Sequence, residues 1–116
     1  MNSQADCIFC KIVSGEIPSK KVYEDELCCA FYDLAPQTPV HILVVPRTHI
    51  ASAAELTPEN SAVVAHIFTV IARLAAELSL TGGYRVVTNS GADARQSVRH
   101  LHFHLLAGRE MSDTMA

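Results

Sequence analysis

The chain reads as an α+β protein: a mostly antiparallel sheet of about five strands, one long helix laid on it and a short N-terminal helix. Three observations predict this class. Short β-branched and aromatic runs are bounded by Pro, Gly and Asp; a single long run carries apolar residues at three- and four-residue steps; and no internal repeat or low-complexity segment interrupts them. With 116 residues, 49% of them hydrophobic, the chain is long enough for one core and too short for two, so residues 1–116 are expected to form a single domain.

The elements follow in order. Cys7 to Val13 can form one or two helical turns, closed by Ser14-Gly15 and then Ile17-Pro18. Lys21 to Glu24 and Leu27 to Asp33 flank Asp25-Glu26 and predict a β-hairpin, although that pair lacks the glycine of the tightest turns. Pro36-Gln37-Thr38-Pro39 makes a stiff extended link into Val40 to Val45, the most β-like run of the chain, which Pro46 stops; a central strand is expected. Thr57 reads as an N-cap and Pro58 as the first helical residue, where a missing N–H costs nothing. Val63, Ile67, Phe68, Ile71, Leu74, Ala75 and Leu78 then mark the apolar stripe of one amphipathic helix, which Gly82-Gly83 ends. His66 has no partner in that pattern and is expected at the solvent edge. Tyr84 to Asn89 predicts a further strand, Ser90 to Ala94 a flexible loop, and Val98 to Ala107 a last strand.

Composition excludes several functions. The net charge is −3 and the nine Lys and Arg are scattered, so no footprint for duplex nucleic acid is present. No apolar run is long enough to span a membrane, and Met1 to Asp6 lacks the charged and apolar regions of a secretory signal. A soluble, cytoplasmic protein is expected. Its four cysteines are then thiols or metal ligands before they are disulfides.

The last strand carries the chemistry. Arg99-His100-Leu101-His102-Phe103-His104-Leu105-Leu106 sets three histidines at alternate positions. On an extended strand they line one face, roughly 7 Å apart, while Leu101, Phe103 and Leu105 face the other way. A merely His-rich surface strand is the bland alternative, but such strands more often expose Thr, Lys or Glu. Neutral imidazole attacks phosphorus well, and with an ordinary pKa near 6.5 much of it is unprotonated at neutral pH. His102, in the middle of the row, is the natural attacker. Its neighbours can donate hydrogen bonds to a phosphate, Ser97 can add a hydroxyl, and the Ser90 to Gln96 loop can turn N–H groups toward the same anion. Spacing alone supports a metal site nearly as well.

Cys7-x-x-Cys10 supplies two of the four ligands a structural zinc wants, and His49 and His100 complete it only if the fold brings them close. A buried thiol pair and a redox couple are the alternatives; the thioredoxin-like βαβ pattern of the latter is missing. Cys28 and Cys29 lie in a predicted strand with side chains on opposite faces, and both read as packing.

His100 to Leu106 resembles the signature of the histidine triad family, His-φ-His-φ-His-φ-φ with φ apolar, at every position. Phe31 to Pro39, His41, Val45 to Ile50, Gly83-Tyr84-Arg85, Asn89 and Gln96-Ser97-Val98 are similar to the Hint branch of that family. The resemblance implies a homodimeric α+β fold, a site for a purine nucleoside monophosphate such as AMP or GMP, and hydrolysis of purine nucleoside 5′-phosphoramidates through a covalent nucleotidyl-histidine. His102 would be the nucleophile, His104 and Ser97 would contact the phosphate, and His41 would support the row from behind. Asp33 would hold the ribose hydroxyls with Leu34 beside it, while Asn89 and Arg95-Gln96-Ser97 would line the phosphate end along with His102, Phe103 and His104. Ile8, Phe9, Phe31 and Ile42 would sandwich the base. Zinc-containing bacterial-type relatives pair two N-terminal cysteines with equivalents of His49 and His100, which implies Zn2+ at Cys7, Cys10, His49 and His100. Cleavage of dinucleoside polyphosphates and nucleotide binding with incidental turnover are the competing functions. Two departures stand out: Arg95 replaces a frequent glycine, and the tail from Met111 to Ala116 lacks the tryptophan- and proline-containing ending of many Hint proteins.

Overall fold

A computed structural model describes residues 4–116. Its five strands form one antiparallel sheet in the order β1-β2-β3-β5-β4. The hairpin is β1 (Lys21–Glu24) and β2 (Cys28–Tyr32), turned by Asp25, whose carboxylate accepts the N–H groups of Leu27 and Cys28. That Asx-type capture replaces the missing glycine. The central strand is β3 (Val40–Pro46), buried along almost its whole length as a strand with neighbours on both sides must be.

Strand alternation in β3 sorts two cores. Ile42 and Val44 face the long helix α2 (Ala62–Glu77) and join Ile67, Val70, Ile71, Leu74, Leu101, Phe103 and Leu105. Leu43 and Val45 face the other way and pack with Phe9, Ile12 and Val13 of the short helix α1 (Ile8–Ser14), which ends at Gly15 in the left-handed conformation, φ 87°. Cys28 and Cys29 are divided between the two cores, as the alternation requires.

Several expectations need correction. Residues 57–61 form a turn ahead of α2, because Asn60 Oδ1 takes the N–H of Thr57 and the Thr57 carbonyl takes the N–H of Ser61. The helix begins at Ala62, five residues after the Thr-Pro signal; it ends at Glu77, with Ser79 rather than a glycine in the left-handed position, φ 57°. His66 is no idle edge residue: Nε2 lies 2.6 Å from Asp25 Oδ2 and ties the helix to the hairpin. The ladder of the last strand covers only β5 (Phe103–Ala107), paired with β3 and with β4 (Tyr84–Val87). Pairing with β3 stops at Val44↔Phe103, so His100 stands in a bend over residues 98–100 and His102 just ahead of the strand.

Candidate functional site

His104 leaves β5 on the α1 face, opposite Leu43. Its ring centroid is 5.1 Å from that of His102, and both line a cleft of about 260 Å3 whose walls include Phe9, Phe31, Asp33 and Ser97. Ile8 and Leu34 line it too, Leu34 being 99% exposed. Ile42 does not: it faces α2, and its neighbour Leu43 takes the place expected for it. Phe103 likewise turns away, its ring centroid 5.5 Å from that of Phe68 in the core under α2.

Hydrogen bonds to one-way partners settle the tautomers. A carbonyl can only accept, so His102 Nδ1, 2.6 Å from His100 O, carries the proton and leaves Nε2 as the free lone pair. The Gln37 N–H donates to His41 Nδ1 at 3.1 Å, so the His41 proton is on Nε2, which donates to His104 Nδ1 at 2.8 Å. His104 is thereby left with an N–H at Nε2. A lone pair on His102 and a donor on His104 stand side by side. That is the pairing an attack on a phosphoryl group needs.

Burial keeps the rings neutral. It pushes His104 down to about 4, helped by the neighbouring His102 and His41 and opposed by Asp33. Burial also lowers His102 and His41, each partly offset by Asp33. Asp33 Oδ2 lies 3.5 Å from His41 Nε2, while Oδ1 accepts the Ala35 N–H.

The preceding loop is a closed turn, not a slack one. Arg95 N–H reaches Ala92 O and Gln96 N–H reaches Gly91 O, with Arg95 in the left-handed region at φ 64°. That conformation explains why glycine suits this position. The Gln96 side chain is occupied, accepting from Gly91 N–H and donating to Ala51 O and Val98 O. It fastens the turn. Among the described residues Asn89, Arg95 and Gln96 do not line the cleft, whereas Ser97 does. Ile17, Pro18, Ser19 and Val98 also line it; their sequence shows no pattern that would single them out.

His100, first of the row, points elsewhere. It is fully buried; Nε2 donates to Pro46 O at 2.8 Å, which leaves Nδ1 as a lone pair 3.4 Å from Cys7 Sγ and 3.5 Å from Cys10 Sγ. His49 Nδ1 is 3.4 Å from Cys10 Sγ. The four ligand atoms lie within 4.8 Å of one another. Tetrahedral Zn2+ with Zn–S near 2.3 Å and Zn–N near 2.0 Å has N···S edges of about 3.5 Å, so the donor set fits that ion in kind and in size. The Pro46 carbonyl is the outer partner that orients a ligating imidazole. Burial lowers His100 to about 4, which keeps the lone pair available.

Residues 14–111 match the family model described as HIT domain, and the chain belongs to the HIT family. It is 50% identical over 107 residues to an uncharacterized HIT-like protein of Synechococcus elongatus, a match that covers 92% of this chain and 94% of the other. The structure resembles a HIT family hydrolase from Clostridium thermocellum with a TM-score of 0.96 and 39% identity, covering 98% and 100% of the two chains. A histidine triad nucleotide-binding protein from Candida albicans superposes with a TM-score of 0.78 at 31% identity, covering 96% and 87%. The five-stranded sheet with its two helices is therefore the HIT-like fold. Among the described residues no helix is long and apolar enough to cross a membrane.

Proposed function

We propose that this chain is a hydrolase of purine nucleoside 5′-phosphoramidates in the Hint branch of the HIT family, acting in the cytoplasm as one domain of residues 1–116. The observation that carries the reading is the fixed tautomer of His102, whose Nδ1–H is taken by His100 O. The Nε2 lone pair attacks the α-phosphorus, the N–P bond forms as the bond to the amine breaks, and the amine leaves with that electron pair and takes a proton from solvent. Water then attacks phosphorus and gives a proton back to solvent, the electron pair of the N–P bond returns to Nε2, and the nucleoside monophosphate departs. The Nδ1–H bond to His100 O stabilises the positive charge the ring acquires while it is phosphorylated. His104 Nε2–H and the Ser97 hydroxyl donate to the phosphoryl oxygens, worth about 10²- to 10³-fold per donor in comparable sites. His41 holds His104 in the donating tautomer. Asp33 takes the ribose hydroxyls beside Leu34, the apolar walls at Ile8, Phe9 and Phe31 take the base, and the turn fastened by Gln96 sets Ser97 at the phosphate end.

Cys7, Cys10, His49 and His100 hold a structural Zn2+ in this reading. When bound, the ion cross-links α1 to the segments before β5 and after β3. Metal analysis tests it: about one zinc per chain, with stability lost on chelation, is expected, and fewer than about one per two chains without such loss rejects it. A homodimer is supported by the outer edge of β4, where Tyr84 is 43% exposed; sedimentation checks it.

His102→Ala should fold and lose turnover, and wild-type rates in that variant would reject the mechanism. A second reading is favoured by a broader groove of about 550 Å3 that shares Ile8, Ser97 and Val98 with the cleft and has room for a bulky leaving group. That reading is dinucleoside polyphosphate cleavage. Turnover of a phosphoramidate against a dinucleoside polyphosphate separates the two, and tight monophosphate binding with negligible turnover of either would mark a nucleotide-binding or scaffold protein.

A further inference from the structure

We propose that the Cys7, Cys10, His49 and His100 cluster aims the nucleophile: metal occupancy fixes the tautomer and orientation of His102 and makes His100 and Phe9 positioning residues. The inference rests on the Zn2+ reading and is independent of the choice of substrate.

His102 is restrained by two neighbours. Its Nδ1–H is held by His100 O at 2.6 Å, and its ring meets that of Phe9 at 5.1 Å between centroids with the planes 88° apart. Both neighbours are built into the cluster. Phe9 lies between Cys7 and Cys10 on α1 and also touches the His100 ring, centroids 6.0 Å apart. His100 is itself a donor of the set.

Neither support lies in the sheet itself, and each touches it at one side only: Phe9 packs on Phe31 of β2, ring centroids 5.5 Å apart, and His100 Nε2 donates to Pro46 O at the end of β3. α1 has seven residues, well short of the about 12–15 at which an isolated helix becomes even marginal, so its place depends on what it packs against and on its two sulfurs. The ladder of β5 begins only at Phe103, leaving the His100 carbonyl fixed by its own ring and by the Leu101 N–H bond to Ile50 O. Without an ion, the contacts from His100 Nδ1 to Cys7 Sγ at 3.4 Å and Cys10 Sγ at 3.5 Å rest on weak S–H donors. Metal bonds would replace them and lock α1, Phe9 and the His100 carbonyl into one rigid body around His102. Groups behind first-sphere metal ligands commonly change affinity or activity about 10- to 100-fold when disturbed.

The test compares zinc-loaded and chelator-stripped full-length protein. Nitrogen-15 NMR of the His102 ring should show a single Nδ1–H tautomer with zinc and a mixture without it, and amides of α1 should exchange at least about tenfold faster in the stripped form. Single-turnover transfer to His102 should slow by about tenfold or more, exceeding any change in nucleoside monophosphate affinity. Where stripping unfolds the chain, Cys10→Ser, which keeps three donors, supplies the same comparison. An unchanged tautomer and unchanged α1 exchange would overturn the proposal even if the metal binds. A cobalt-loaded sample without a sulfur charge-transfer band would overturn it together with the metal reading. Both readouts need no substrate, so they stand or fall apart from phosphoramidate turnover.

Discussion

Replacing His41 with Phe tests the hydrogen-bond chain that prepares His104. The ring volume is nearly kept, so packing against Leu106 across the ladder changes little, but two bonds vanish: Gln37 N–H to Nδ1 at 3.1 Å and Nε2–H to His104 Nδ1 at 2.8 Å. His104 Nδ1 then faces an apolar ring, and the tautomer with its proton on Nε2 loses the partner that selected it. A lost hydrogen bond to a buried group costs about 1–3 kcal/mol. Passed into the barrier, that range corresponds to a fall in kcat of about 5- to 160-fold. KM for a nucleoside phosphoramidate should change much less, because the base and ribose ends of the cleft are untouched. Steady-state kinetics beside urea unfolding separates lost preparation from lost folding. A kcat within about twofold of wild type, in a folded variant, would refute the chain from Gln37 through His41 to His104.

His66→Ala should leave kcat unchanged and cost about 1–3 kcal/mol in chemical denaturation, since it strips one bond from the Asp25 carboxylate that also serves Tyr23, Leu27 and Cys28; an unaltered midpoint would show the tie to be idle. Stability should fall as pH drops from 6.5 to about 4, because burial lowers the folded-state pKa of His104 to about 4, so the unfolded chain takes up its proton first. The loss is on the order of 3 kcal/mol for this ring, and a flat stability curve over that window would contradict it. Asp25 extends the decline into stronger acid: burial opposes its ionisation, but bonds from Tyr23, Leu27, His66 and Cys28 hold it well below the usual carboxylate range. Arg95→Gly should raise the thermal midpoint, by up to about 1 kcal/mol of stability, by removing a side chain from the left-handed region at φ 64°; a fall would reveal a stabilising role for the guanidinium.

How much was legible in the sequence depended on how local the controlling physics was. The hairpin, the central strand and the helix stripe follow from alternation and periodicity alone, and they stand at Lys21–Glu24, Cys28–Tyr32, Val40–Pro46 and Ala62–Glu77. Boundaries failed where a side chain competed with the backbone. Asn60 captures Thr57 N–H and delays the helix, and no propensity of Thr-Pro announces that. The histidine row was legible as chemistry but not as geometry. Strict alternation placed His100 beside His102, whereas the ladder ends at Phe103 and lets His100 turn to Pro46 O and the sulfurs. The cluster of Cys7, Cys10, His49 and His100 spans 93 residues between its outermost members, a closeness only the fold supplies. His66 pairing with Asp25 is a contact of the same long-range kind. Ile42 and Leu43 show the cost of a one-residue error on a strand, since either could have been chosen for the cleft and alternation sends them to opposite faces.

The central claim is that Nε2 of His102 is a free lone pair that takes the nucleotidyl group from the substrate. Rapid quenching of the reaction followed by mass spectrometry of the peptide carrying residues 96–109 measures this directly. A transient mass increase of one nucleoside monophosphate on His102, formed within the first turnover and lost as product appears, is the predicted result. Product formed through the first turnover with that peptide never modified, in acid-free quenches that preserve such adducts, would contradict the account.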